Sequence, residues 1–191
     1  MKLWSLPQSL EVGGRQVPIH GDYRDILEIL SYLNDPRYPQ PLAWAIAIGL
    51  FYKEPIEKTL WPQAAEALAA FLTAGQKASP GPVLLDWEQD AMPIISDING
   101  IAGREIRQEK FIHWWTFLSW FHAIGPGQLS TLVGIRDKLR RGKPLDGWEK
   151  AFYAQNREAV ELKKRLSPSQ LAEKQRLEAM LEGGENGKSR D

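Results

Sequence analysis

Residues Glu109 to His122 read EKFIHWWTFLSWFH, and three tryptophans and three phenylalanines fall within this one stretch. On a helix its polar positions Lys110, His113, Thr116, Ser119 and His122 recur every three residues, so each step falls about 60° short of a full turn. The polar line therefore winds right around the helix and leaves no broad polar face. A helix apolar on nearly all sides belongs at the centre of a bundle, and Trp114, Phe117 and Leu118 are expected core residues. Each large aromatic buries roughly 150–250 Å². The carboxyl end of the same stretch is also a docking candidate, through an exposed Trp120 and Phe121.

Upstream, Leu10 and Val12, Gly13-Gly14, then Val17 and Ile19 spell a hairpin with Val12 opposite Arg15 and Leu10 opposite Val17. Two strands alone are not stable, so the hairpin is expected to lie on something else. From there the chain reads helical. Asp22 caps a helix through Leu33 that Asn34-Asp35-Pro36 stops. Pro39 and Pro41 introduce LAWAIAIGLFY, whose almost complete lack of polar side chains predicts a buried or paired helix. A third helix is expected from Pro55, bent at Pro62 and ended by Gly75. A fourth starts at Asp86 (DWEQDAMPIISDINGIAG), and the aromatic stretch from Glu109 is the fifth.

After the break GPGQ, LSTLVGIRDKLRR forms a sixth helix ended by Gly142. Asp146 and Glu149 make a capping box for a seventh, WEKAFYAQNREAVELKK, and Ser167-Pro168-Ser169-Gln170 opens the eighth. The expected architecture is mainly α, a compact domain of seven or eight helices with a short N-terminal β-hairpin. Its divisions are a hairpin arm over 1–20, a helical domain over 21–165, a C-terminal helix over 166–182 and a disordered tail over 183–191.

The 191 residues, 43% hydrophobic and 25% charged, have the balance of one globular domain. Since 24 basic residues face 24 acidic ones, there is no overall field toward nucleic acid or anionic membrane, and such a partner would need a local patch. The absence of cysteine excludes disulfides, thiol nucleophiles and thiolate metal sites, and fits a reducing compartment. No signal-peptide core precedes Val12, and no run reaches the about eighteen apolar residues of a membrane span. The expectation is a cytoplasmic protein without a membrane partner.

Three constellations could carry chemistry. His113 and His122 stand nine residues apart, on opposite sides of one helix, and cannot chelate one ion. Asp86, Asp90 and Asp97 fall within about 40° on a helix, a geometry open to Mg²⁺ or Ca²⁺. Two of them also lie where the helix dipole favours negative charge, so a solvated helix start is the preferred reading. No metal, cofactor or catalytic residue is expected. The stretch from Ile135 to Lys143 concentrates Arg136, Lys138, Arg140, Arg141 and Lys143 against Asp137 alone. It would suit phosphates or an acidic partner, or complement a helix carboxyl terminus, and it lacks the interleaved aromatics of a base-stacking site.

The chain resembles the bacteriophage gene-product-fifteen family, small proteins of phage tail-morphogenesis clusters. The resemblance runs from about residue 5 to 165 and rests on IHGDYRDIL after the hairpin, DWEQDAMPII, KFIHWWTFLSWFHAI and GIRDKLRRGKPLDGWEKAFYAQNREAV. The chain departs from it at Met92-Pro93, where the family helix runs on, and at Asn99-Gly100, which softens the end of that helix. The resemblance implies a non-enzymatic tail-assembly chaperone. Its partners would be the tape-measure protein and tail tube components, with association between copies. The expected partner-binding residues are Trp120, Phe121, Arg136, Lys138, Arg140, Arg141 and Trp148. The rival is a small helical nucleic-acid-binding regulator using the basic cluster 136–143.

Overall fold

A computed structural model describes residues 4–76 and 81–185. The described residues form a two-stranded antiparallel hairpin and nine α-helices. Strands β1 (Ser9–Val12) and β2 (Arg15–Pro18) pair in the expected register, Val12 with Arg15 and Leu10 with Val17. Gly13 and Gly14 turn the chain at φ +59° and +77°, angles that glycine adopts without a steric penalty. Leu10, Val12, Val17 and Ile19 are all buried in the main core, so the hairpin lies on the helices. A bridge from Ile19 to Tyr52 and a bond from Gly13 N to Gln63 Oε1 (3.1 Å) tie it down.

The helices are α1 (Tyr23–Leu33), α2 (Gln40–Phe51), α3 (Trp61–Leu72), α4 (Ala91–Ala102), α5 (Trp114–His122), α6 (Gln128–Arg140), α7 (Gly147–Gln155), α8 (Arg157–Val160) and α9 (Pro168–Glu185). The expected caps form where their partners are local. Asp22 accepts from Arg24 N, Asp146 and Glu149 cap reciprocally, and Ser167 N donates to Gln170 Oε1 while Gln170 N donates to Ser167 Oγ.

Several boundaries differ from expectation. The third helix starts at Trp61 after a 3₁₀ turn (Lys58–Leu60), which puts Pro62 in the first turn, where a missing N–H is harmless, instead of at a bend. The fourth starts at Ala91, because the Asp86 carboxylate accepts from Glu88 N and Gln89 N and closes a separate turn. The fifth starts only at Trp114. Residues 109–113 stay outside the helix because Ile112 is held by the start of α1, donating to Asp22 Oδ2 (3.0 Å) and accepting from Tyr23 N (2.9 Å). The seventh breaks at Asn156, giving the one-turn α8 and an extended stretch after it. The last helix runs past 182 to Glu185, and the rest of the expected tail lies outside the described residues.

Trp114, Phe117 and Leu118 are buried, as the apolar wrap of the stretch requires. Tyr23 stacks on Phe117 (4.8 Å between centroids, 7°), and Phe117 on Trp114 (5.5 Å, 16°). Trp87 leans on Trp114, Phe117 and Phe121. A smaller apolar cluster, Leu132, Ile135 and Val160 with half-buried Leu145, Phe152 and Tyr153, joins α6 to α7 and α8. Among the described residues no helix is long and apolar enough to cross a membrane.

Candidate functional site

Two polar junctions and one open face stand out. The first junction is built by the consecutive residues His113, Trp114 and Trp115, each of which serves a helix end. His113 Nδ1 accepts from Trp115 N (3.1 Å), capping α5, so Nε2 carries the proton and donates to Pro7 O (3.1 Å). The indoles of Trp114 and Trp115 donate to Leu72 O and Phe71 O, both at 2.9 Å, at the carboxyl end of α3. The aromatic stretch is thus core packing whose polar edges close helix termini. Burial pushes the His113 pKa down against the Pro7 carbonyl, favouring the neutral ring. Beside it Asp22 accepts from Arg24 and Ile112. Burial would raise the Asp22 carboxyl, but the Arg24 guanidinium and these amide donors hold it below its ordinary value.

The second junction centres on Asp86-Trp87-Glu88-Gln89-Asp90, where every side chain reaches a distant part of the chain. Asp90 pairs with Arg136, Asp86 and Glu88 meet Arg165, and Trp87 enters the aromatic core. The Gln89 amide donates to Glu158 O (3.1 Å) and Glu161 O (2.9 Å) and accepts from Lys163 N (3.0 Å). Asp97 faces elsewhere, toward the amino end of α6 with Leu129 N at 3.4 Å. The three aspartates therefore serve three different partners and share no helix face, since Asp86 lies outside α4. Asp90 is buried and ion-paired, which corrects the reading of a solvated helix start. Among the described residues no group of three His, Asp or Glu side chains is placed to hold a metal ion.

The basic cluster is divided by the fold. Arg136 is buried and donates through all five guanidinium N–H groups, to Leu84 O, Asp90 Oδ1 and Oδ2, Ala159 O and Val160 O. A surface role is closed to it here, because its side chain points inward from α6. Lys138 pairs with Glu149 and Arg141 with Asp137. Arg140 and Lys143 are exposed and have no acidic partner among the described residues. Trp120 and Phe121 are half-buried against the main core, so neither is a free aromatic. Trp148 is 61% exposed and leans on Phe152 of the next turn (5.5 Å).

The open face belongs to α2. Ala43, Ala47, Ile48 and Phe51 are buried against α1 and α3, while Leu42, Ala45, Ile46, Gly49 and Leu50 follow one another along the opposite side. Leu42 is 49% and Leu50 37% exposed, and Gln40 is the only polar side chain of this helix. A groove runs beside it, with Ala45, Ile48, Gly49, Tyr52, Ile56 and Trp61 along its apolar wall and Lys53 and Glu54 at its charged end. A helix apolar all round is expected to be buried or paired, yet within the described chain Leu42, Gly49 and Leu50 stay exposed on one side of α2, with Ala45 and Ile46 half-buried between them. The absence of a polar face was the signal for this surface in the sequence. Gln89 and Arg165 carry no comparable signal, since their partners lie 69 to 79 residues away.

No protein-family model, no curated protein and no solved structure matches this chain.

Proposed function

We propose that the protein is a non-enzymatic phage or prophage tail-assembly protein, a chaperone that binds the tape-measure protein in the cytoplasm of the host bacterium while the tail tube assembles. The observation that carries this reading is the partly uncovered side of α2, where Leu42 and Leu50 are exposed. An uncharged apolar helix face with a groove beside it suits an amphipathic helix laid into it, anchored by side chains spaced along one face. A tape-measure protein is a long helical chain whose apolar stripes need cover before assembly. The family resemblance supports the same role. For the rival regulator, the inward turn of Arg136 and the pairing of Lys138 and Arg141 leave Arg140 and Lys143 as the cations of that cluster without an acidic partner among the described residues.

Co-expression with the tape-measure protein of the same phage tests the proposal. The expected result is a soluble complex with several copies of this chain per cargo, stable to moderate salt. A phosphate-bound complex with about six to ten contacts would instead lose roughly 10³–10⁵ in affinity between about 50 and 200 mM salt. A cargo no more soluble with this protein than without it, or a salt-labile DNA complex in its place, sinks the proposal.

A further inference from the structure

The stretch from Lys143 to Arg165, carrying α7 and α8, is attached to the body outside the main core. No residue of α7 is buried, and in α8 only Val160 is. Its apolar contact is the small cluster on Leu132 and Ile135 of α6, separate from the main core. The remaining attachment is polar, and it includes the Lys138–Glu149 ion pair between α6 and α7. A helix leaves its last carbonyls without intrahelical donors, and here side chains of the body fill that role. Arg136 donates to Ala159 O (2.7 Å) and Val160 O (2.8 Å), and Gln89 to Glu158 O and Glu161 O. Arg165 closes the end of the stretch on Asp86 (3.1 Å) and Glu88 (2.8 Å). At the other end Gly142 sits at φ +64° just before Lys143-Pro144, which separates the stretch from α6.

We infer that residues 143–165 form a strap that opens and recloses as one unit, pivoting at Gly142–Pro144 and latched by Gln89. Opening exchanges hydrogen bonds to Gln89, Arg136 and Arg165 and the Lys138–Glu149 ion pair for bonds to water, and it parts one small apolar cluster while leaving the main core intact. Asp90, Leu84 and Arg136 belong to the body and keep their mutual bonds as the strap leaves. What opening uncovers is the Leu132–Ile135 side of α6, an apolar strip. Gln89 is the latch because, among the described residues, it alone both donates to the strap's carbonyls and accepts from its backbone at Lys163 N.

Native-state hydrogen exchange read by mass spectrometry on the intact chain tests this. In the unmodified protein, the amides of α7 and α8 should exchange together and faster than those of α1 and α5. Gln89→Ala should speed the strap amides by about tenfold and leave α1 and α5 unchanged. Gln89→Glu keeps the acceptor for Lys163 N but sets a carboxylate oxygen against the Glu158 and Glu161 carbonyls, and should act in the same direction. Strap amides as protected as those of α1 and α5 in the unmodified protein would overturn the inference. So would a uniform acceleration across the chain in both variants.

Discussion

Arg136 and Asp90 meet in a buried two-pronged ion pair, Nη1 to Oδ2 at 2.7 Å and Nη2 to Oδ1 at 2.8 Å, across 46 residues of sequence. Three backbone carbonyls take the other guanidinium protons, so the arginine side chain is fully satisfied in the interior. Such a pair costs desolvation to form, but losing one member strands the other charge. Arg136→Ala or Asp90→Ala should each lower unfolding free energy by about 3–5 kcal/mol in denaturant titrations. The double variant should lose less than the sum, since it buries no unpaired charge. Strictly additive losses would refute the coupling.

The pH dependence of stability should carry a contribution from His113. Burial depresses its folded-state pKa below the ordinary 6.5, and the neutral ring is the form whose Nδ1 caps α5. Below 6.5 the unfolded chain binds the proton more readily, so this stabilisation is complete above 6.5 and is lost as pH falls through the folded-state value. His113→Asn keeps a capping side chain without a titrating ring. The melting-temperature gap between the two proteins should narrow from about pH 8 to about pH 5. His20 and His122 are present in both and cancel. A constant gap would remove His113 from the account.

Trp114 stands where the aromatic stack meets the end of α3. Trp114→Ala should cost about 3–5 kcal/mol, enough to unfold a marginal domain. Trp114→Phe keeps most of the ring and loses the donor to Leu72 O, and should fall between the alanine variant and the unmodified protein. A soluble alanine variant with an unchanged melting temperature would contradict the packing described.

On α2 the same logic predicts the opposite. Leu42→Glu and Leu50→Lys alter side chains that face water, so thermal stability should move by no more than about 0.5 kcal/mol. If the face binds an apolar helix, both should weaken the complex with the tape-measure protein strongly. Arg140→Glu should weaken it little. The reverse ranking in pull-downs would move the binding surface to the basic cluster.

How much of this was legible in the sequence follows the range of the interactions. The hairpin register, the Asp22 cap, the Asp146–Glu149 box and the start of α9 at Ser167 rest on groups within a few residues of one another. A glycine pair or a capping side chain acts on its own neighbourhood, and the sequence by itself determined those features. It also determined that Trp114, Phe117 and Leu118 must be core, because no rotation of their helix produces a polar face. The tertiary structure alone decided where that helix begins, since Ile112 is drawn into an extended path by Asp22, 90 residues away. It likewise turned Arg136 inward from a cluster that read as a surface patch, and sent three aspartates from one supposed face to three partners. Among the described residues it left Leu42 and Leu50 of α2 exposed. In each case a donor, a charge or an apolar face found its partner far along the chain, and no local window of sequence contains both members of such a pair.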